Sequence, residues 1–348
     1  TSAGFESPGG TIFKLDPSNG YALTTLEDFT DGDILATGAS PQAALIVDAS
    51  GTLFGTTTRG GAGEAGVVFS LTTGVPAPVG GIAPTSGPSA GGTTLTVSGT
   101  GFTSPLTLRI GGALAADVTV VDSSEITGVT PPLPPGRLND AAVTSAAAGP
   151  SAPFVLAGAF FSDFLDVPQA DLFHADVEKI FRHGITAGCG AGFYCRGDVV
   201  TRAQMAVFLL KAKHGSSYVP PACTGLFADV ACLPVPTFAA DWIEQLAREG
   251  ITSGCGGGNY CPGGSVTRAQ MAVLLLKAEH GSGYVPPTCT GVFLDVACVP
   301  VPAFAADWIE QLAGEGITAG CGGGNYCPGN PVGRGQMAAF LVRTFGLP

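Results

Sequence analysis

Gly184-Ile-Thr-Ala-Gly-Cys189 returns as Gly250-Ile-Thr-Ser-Gly-Cys255 and again as Gly316-Ile-Thr-Ala-Gly-Cys321, near-copies of one hexapeptide at a 66-residue step. A fixed period of this length marks a tandem array of supersecondary units, each too small to bury its apolar face alone. Ahead of the middle copy, Phe238-Ala-Ala-Asp-Trp-Ile-Glu-Gln-Leu-Ala-Arg-Glu-Gly250 places Phe238, Trp242, Ile243 and Leu246 on one helical stripe and ends on a glycine suited to a helix C′ position. Behind it, Thr267-Arg-Ala-Gln-Met-Ala-Val-Leu-Leu-Leu-Lys-Ala278 opens with a Thr-x-x-Gln capping box. Each repeat is therefore predicted to be a helix pair joined by a Gly-rich loop.

The cysteines keep the same step: Cys189, Cys255 and Cys321; Cys195, Cys261 and Cys327; Cys223 and Cys289; Cys232 and Cys298. This recurrence pairs Cys189 with Cys195, Cys223 with Cys232, Cys255 with Cys261, Cys289 with Cys298 and Cys321 with Cys327. Zinc would call for short Cys hooks or a Cys/His set converging on one ion, and only His214 and His280 repeat in register. Disulfides are the stronger reading, and they imply an oxidising, extracytoplasmic compartment.

Phe164-Leu-Asp-Val167, Phe227-Ala-Asp-Val230 and Phe293-Leu-Asp-Val296 open the repeats, and Val200-Thr-Arg-Ala203 and Val266-Thr-Arg-Ala269 start their second helices. With the Gly-Ile-Thr-x-Gly segments, these motifs resemble the S-layer homology module. The resemblance implies a mainly α C-terminal half of three modules, at 159–222, 223–288 and 289–348, packed about a pseudo-threefold axis. It also implies attachment to a cell envelope through anionic, pyruvylated wall polysaccharide.

Arg202, Arg268 and Arg334 each take the first position of a helix, where the positive end of the macrodipole disfavours a cation by a few tenths up to about 1 kcal/mol. Two readings stand side by side. Free helix-start N–H groups plus a guanidinium make an anion pocket, and the family's ligand-binding arginine maps onto these positions, with Trp242 and Trp308 as further candidates for the glycan. Alternatively, each arginine bridges to an Asp or Glu of a neighbouring repeat. The chain also departs from the family: Gln204 and Gln270 stand where Glu is usual, and the third start, Gly333-Arg-Gly-Gln336, lacks the capping hydroxyl. Asp176 replaces the tryptophan in repeat one, and the cysteines are additions.

The N-terminal half reads as all β. Thr93-Thr-Leu-Thr-Val-Ser-Gly99, Leu106-Thr-Leu-Arg-Ile110, Val118-Thr-Val-Val121 and Ala141-Ala-Val-Thr144 alternate as strands between Gly and Pro turns. The run from Ile82 to Phe102, with Thr130-Pro-Pro132 further on, resembles an IPT/TIG domain and implies an Ig-like sandwich over 75–158 without its disulfide. In residues 1–74, Gly10-Thr-Ile-Phe-Lys-Leu15 returns as Gly66-Val-Val-Phe-Ser-Leu71, on either side of Leu45-Ile-Val-Asp-Ala-Ser-Gly-Thr-Leu-Phe-Gly-Thr-Thr57. This is similar to the GloVer-type repeat of bacterial surface proteins and implies a propeller-like unit. Little more than one copy is present, so its strand edges stay open unless upstream sequence or another chain covers them.

Charge and hydropathy narrow the function. Only 12% of the 348 residues are charged, about half the usual ~25%, and the net charge of −12 provides no basic face for nucleic acid. Apolar runs fall short of the ~20 residues of a membrane span. Thr1 is followed by a polar, Gly-rich stretch, so a signal peptide is either already removed or was never present, and the missing Met favours removal.

Catalytic motifs fail on context. Gly87-Pro-Ser-Ala-Gly91 fits G-x-S-x-G but leads into a strand, where an active serine needs a helix. Gly61-Ala-Gly-Glu-Ala-Gly66 likewise leads into a strand and not into a pyrophosphate-binding helix. Asp28, Asp31 and Asp33 fit a solvated turn better than a calcium loop, and His174 and His183 read as surface helix residues. No metal or cofactor is expected. The resulting expectation is a non-catalytic, secreted surface protein that binds envelope glycan and other copies of itself. The alternatives are a filament or layer subunit without glycan binding, and an accessory module of a carbohydrate-active enzyme.

Overall fold

The computed structural model describes residues 10–16, 22–29, 39–47, 52–60, 65–72, 81–99, 102, 104–145, 153–232, 238–298 and 304–348. The chain divides into two compact units, Thr1–Ser162 and Asp163–Pro348.

The first unit is built of strands. β1 (Thr11–Asp16) and β2 (Ala22–Asp28) form an antiparallel pair, while β3 (Ala39–Pro41), β4 (Ile46–Val47) and β6 (Val68–Thr72) pair with β5 (Thr52–Arg59). Both halves of the internal repeat enter their strand through a left-handed glycine, Gly10 at φ 95° and Gly66 at φ 89°. Phe29, fully buried, packs edge-on against Phe69 with ring centroids 5.0 Å apart. Asp31, Asp33, the side chain of Asp28 and residues 61–64 lie outside the described residues.

A two-sheet sandwich follows. One sheet runs β12 (Ala116–Asp122), β13 (Glu125–Val129), β9 (Thr94–Ser98), β7 (Gly81–Ala83). The other runs β11 (Ala113–Leu114), β10 (Leu106–Ile110), β14 (Arg137–Ser145), β15 (Pro153–Ser162), β8 (Ser86–Gly87). Strand alternation decides the interior: Leu95 and Val97 of β9 and Leu108 and Ile110 of β10 turn inward against Ile126 and Val143. β15 runs to Ser162 with Phe160 and Phe161 buried. Ser89 lies in the turn between β8 and β9, and no nucleophile elbow forms.

Among the described residues the second unit holds three helix pairs. They are α1 (His174–Arg182) with α2 (Arg202–His214), α3 (Ala240–Arg248) with α4 (Arg268–His280), and α5 (Ala306–Gly314) with α6 (Arg334–Thr344). Thr201 and Thr267 cap α2 and α4 with complete capping boxes. At Gly333 only the return bond from its N–H to Gln336 remains, since glycine has no hydroxyl to offer. Phe238 is not part of the α3 stripe. The helix starts at Ala240 after a left-handed Ala239 (φ 63°), which leaves Phe238 70% exposed. His174 is not a surface residue either. It is buried at the start of α1, with Nε2 2.8 Å from the buried Asp163 carboxylate.

Each first helix packs on the second helix of the preceding repeat: α3 on α2, α5 on α4, and α1 on α6. Backbone bonds follow the same circuit. Val266 N–H donates to Val200 C=O, Val332 to Val266, and Val200 to Val332, at 2.9–3.0 Å among three fully buried valines. The amphipathic stripes thus bury one another in a circuit that no single repeat could supply.

Candidate functional site

The Gly-Ile-Thr-x-Gly-Cys loops position the site. The last glycine of each motif (Gly188, Gly254, Gly320) has φ of 83–89°, and a Cβ there would collide with the carbonyl of Phe193, Asn259 or Asn325. Those carbonyls accept the N–H of Cys189, Cys255 and Cys321 at 2.8–2.9 Å. The ten cysteines form five disulfides, Cys189–Cys195, Cys223–Cys232, Cys255–Cys261, Cys289–Cys298 and Cys321–Cys327. The Asp of each opening Phe-x-Asp-Val motif then holds the far side of its loop. Asp166 accepts from Tyr194 and Arg196 N–H, Asp229 from Tyr260 and Cys261, and Asp295 from Tyr326 and Cys327.

Tyr194, Tyr260 and Tyr326 are thereby pointed inward, nearly fully buried, and each meets an arginine from another repeat. Tyr260 OH donates to Arg202 C=O at 2.8 Å, while Arg202 Nε donates back to Tyr260 C=O at 2.7 Å with its guanidinium 4.7 Å from the ring. Arg268 with Tyr326 repeats this at 2.8, 2.7 and 4.6 Å, and Arg334 with Tyr194 at 2.9, 2.9 and 4.8 Å. Burial pushes the Tyr260 and Tyr326 phenols up to about 12 against the opposing pull of Arg202 and Arg268, so both remain protonated donors.

This geometry corrects the expected anion pocket in one respect. The helix-start N–H groups are not free: Arg202 N–H donates to Gly264 C=O and Ala203 to Pro262, with equivalent bonds from Arg268 to Asn330 and from Arg334 to Asp198. The three arginines are 8%, 4% and 6% exposed. A carbonyl and an aromatic ring replace the Asp or Glu that the bridging reading expected. What differs is the outer guanidinium nitrogen. Arg268 Nη2 reaches Thr318 Oγ1 at 3.5 Å, while Arg334 Nη2 is buried and, among the described residues, without a partner.

Trp242 and Trp308 do not join the arginines. They sit beyond the C-terminal ends of α2 and α4, in edge contact with Tyr218 and Tyr284, whose rings pack on His214 and His280 at 4.4 Å. A 13-residue helix separates the two places, roughly 20 Å at 1.5 Å per residue. Sequence reading passed over two further sets of residues that keep the 66-residue step. One is the tyrosines. The other is Glu244 and Glu310, whose carboxylates accept three consecutive backbone N–H groups from Thr224–Leu226 and Thr290–Val292. Burial pushes these two carboxyls up, but the donated bonds outweigh it and hold both below the ordinary 4.5.

Residues 78–154 match the IPT/TIG domain and residues 234–272 match the S-layer homology domain. An S-layer protein of Bacillus licheniformis is 26% identical over 201 residues, and S-layer protein EA1 of Bacillus anthracis is 24% identical over 197. Each alignment covers 57% of this chain and 21% of the relative, so the match spans about a fifth of the relatives' length. Among solved structures, the extracellular region of plexin A4 aligns at 14% identity with a TM-score of 0.22, covering 45% of this chain and 14% of that one, too low to inform the fold. The chain is a multidomain cell-surface protein with an Ig-like TIG domain in its β-rich half and S-layer homology sequence in its helical half. No helix among the described residues is long and apolar enough to cross a membrane.

Proposed function

We propose that all three C-terminal repeats are S-layer homology modules arranged with pseudo-threefold symmetry, and that they hold this non-catalytic protein to an anionic envelope polysaccharide. The observation that carries the ligand reading is Arg334 Nη2, buried and, among the described residues, without a partner, so that a sugar carboxylate admitted by a local side-chain movement would satisfy it with a charge-assisted bond. Arg202 and Arg268 present the same guanidinium frame, and Arg268 Nη2 is further occupied by Thr318 Oγ1. Trp242 and Trp308 lie too far away to contact the same sugar and belong to the packing between repeats. Cosedimentation of the full chain with purified wall sacculi, before and after removal of acidic polysaccharide, tests this. Binding should require the acidic polymer and weaken in Arg334→Lys, which keeps the charge and loses the fork. Equal binding to stripped sacculi would overturn it.

The N-terminal segment, read as a partial propeller-like repeat, is the self-association module. In support of this, Val68 and Ile46 on its strands are 75% and 68% exposed, an arrangement that favours edge pairing with another copy. Light scattering on the full chain and on a chain lacking 1–74 should show polymer for the first and monomer for the second. Identical monomeric profiles would remove the self-assembly reading.

A further inference from the structure

Glu279, His280 and Glu315 meet where α4 ends against the C-cap of α5. His280 Nε2 lies 2.9 Å from Glu315 Oε1 and 3.9 Å from Glu279 Oε2, and one ligand atom from each residue falls within 4.8 Å of the others. One repeat earlier the same cradle holds Lys213, His214 and Glu249. There the Lys213 ammonium donates to Glu249 Oε2 at 2.8 Å, and His214 Nε2 meets Oε1 of the same carboxylate at 2.8 Å. A cation thus sits in the first cradle.

The second cradle lacks it. Glu279 stands where Lys213 was, so the cation of the first junction is gone and a second carboxylate has been added. The rest of the cradle is unchanged. Gln311 Nε2 donates to Glu315 Oε1 at 2.6 Å, as Gln245 does to Glu249 at 2.9 Å, and Tyr284 packs on His280 as Tyr218 packs on His214. Two of the three candidate ligands are therefore held in place by neighbours, as the outer partners of a metal site do. The third, Glu279, is partly exposed and lies beside the Glu315 carboxylate, and burial together with that neighbouring charge pushes its carboxyl up.

We propose that Glu279, His280 and Glu315 form a divalent-cation site of the zinc class, in which the metal takes the place that Lys213 Nζ holds one repeat earlier. An imidazole nitrogen with two carboxylates suits zinc, with water in the fourth position, whereas calcium asks for six to eight oxygens. Zinc bonds of 2.0–2.2 Å set tetrahedral ligand atoms about 3.3 Å apart, and the observed 2.9 and 3.9 Å separations straddle that value. The ion ties the end of α4 to the end of α5, as Lys213 ties α2 to the C-cap of α3.

Zinc chloride alone is the probe, added to the full chain, with isothermal titration and thermal unfolding as readouts. The expected result is one zinc per chain, a Tm raised by several degrees and reversed by chelator, and visible absorption bands when cobalt(II) is substituted. Glu279→Lys, which installs the ion pair of the neighbouring junction, should abolish the zinc response and leave the metal-free Tm at or above that of the parent. His280→Gln should weaken binding at least about tenfold. Failure to bind one zinc, a zinc response that survives Glu279→Lys, or a preference for calcium would each overturn the assignment.

Discussion

The junction where α1 closes on α6 is built differently from the two where successive repeats meet. At the closing junction Phe173 packs against Gly335, where an added Cβ would lie 2.5 Å from the Phe173 ring. The corresponding positions inside the array are Ala239 with Ala203 and Ala305 with Ala269. A second exchange accompanies the first. Lys277 lies over Trp308 at 5.8 Å at an internal junction, while Asp176, at the tryptophan's position, feels the charge of Arg343, at the lysine's. Repeats joined head to tail can close on themselves or run on into another molecule. A bulky ring at the N-cap of α1, set against the glycine of α6, favours closure within the chain, because α1 against α2 or α4 of another copy would set Phe173 against an alanine.

The largest expected effect tests whether the Arg–Tyr clasp is equivalent at all three junctions. Arg202→Ala should cost about 3 kcal/mol in denaturant unfolding, since it removes a buried guanidinium and strands the Tyr260 carbonyl. Arg334→Ala should cost less, because one of its donors is already unpaired. Equal losses would show that the closing clasp is no weaker than the others.

Gly335→Ala comes next, at about 1–3 kcal/mol of overpacking, with part of the loss recovered by adding Phe173→Ala. A double-mutant cycle without coupling would break the idea that these two residues mark the closing junction.

Acid separates the repeats in a third way. Glu244 and Glu310 have folded pKa values below 4.5, so their stabilisation is present above 4.5 and is lost as pH falls through the lower folded value. In repeat one, Glu178 pairs with Arg182 and holds no disulfide loop. Glu244→Gln with Glu310→Gln should cost about 1–2 kcal/mol each at neutral pH and flatten the acid limb of the stability curve.

The smallest expected effect is a gain. Gly333 has φ −78° and ψ 156°, close to the capping threonines 201 and 267, and a Cβ there meets nothing nearer than 3.6 Å. Gly333→Thr should restore the missing cap and stabilise by about 0.5–1 kcal/mol, read as a rise in Tm.

Local features were legible in the sequence because their partners are close along the chain. The helix pairs follow from apolar spacing and capping residues, and the cysteine pairs follow from a step that the hexapeptides share. Strand alternation from Thr93 to Ser98 likewise announced which residues of β9 turn inward. Where the reading failed, an element boundary or a distant atom decided. Phe238 has the spacing of a core residue, but the left-handed turn at Ala239 ends the helix before reaching it. His174 looks like a surface residue until Asp163 is brought against it.

The sequence by itself determined the number of repeats, the secondary structure of each and the oxidised state of the cysteines, since these depend on neighbours within one 66-residue unit. Only the tertiary structure decided what the arginines do. Their partners are a backbone carbonyl and a ring 58 residues away for Arg202 and Arg268, and 140 away for Arg334. Every residue carries a carbonyl, so no pattern of side chains marks which one a buried guanidinium will find. That choice is made when the three repeats bury their apolar stripes against one another and the loops and helix starts are brought into register.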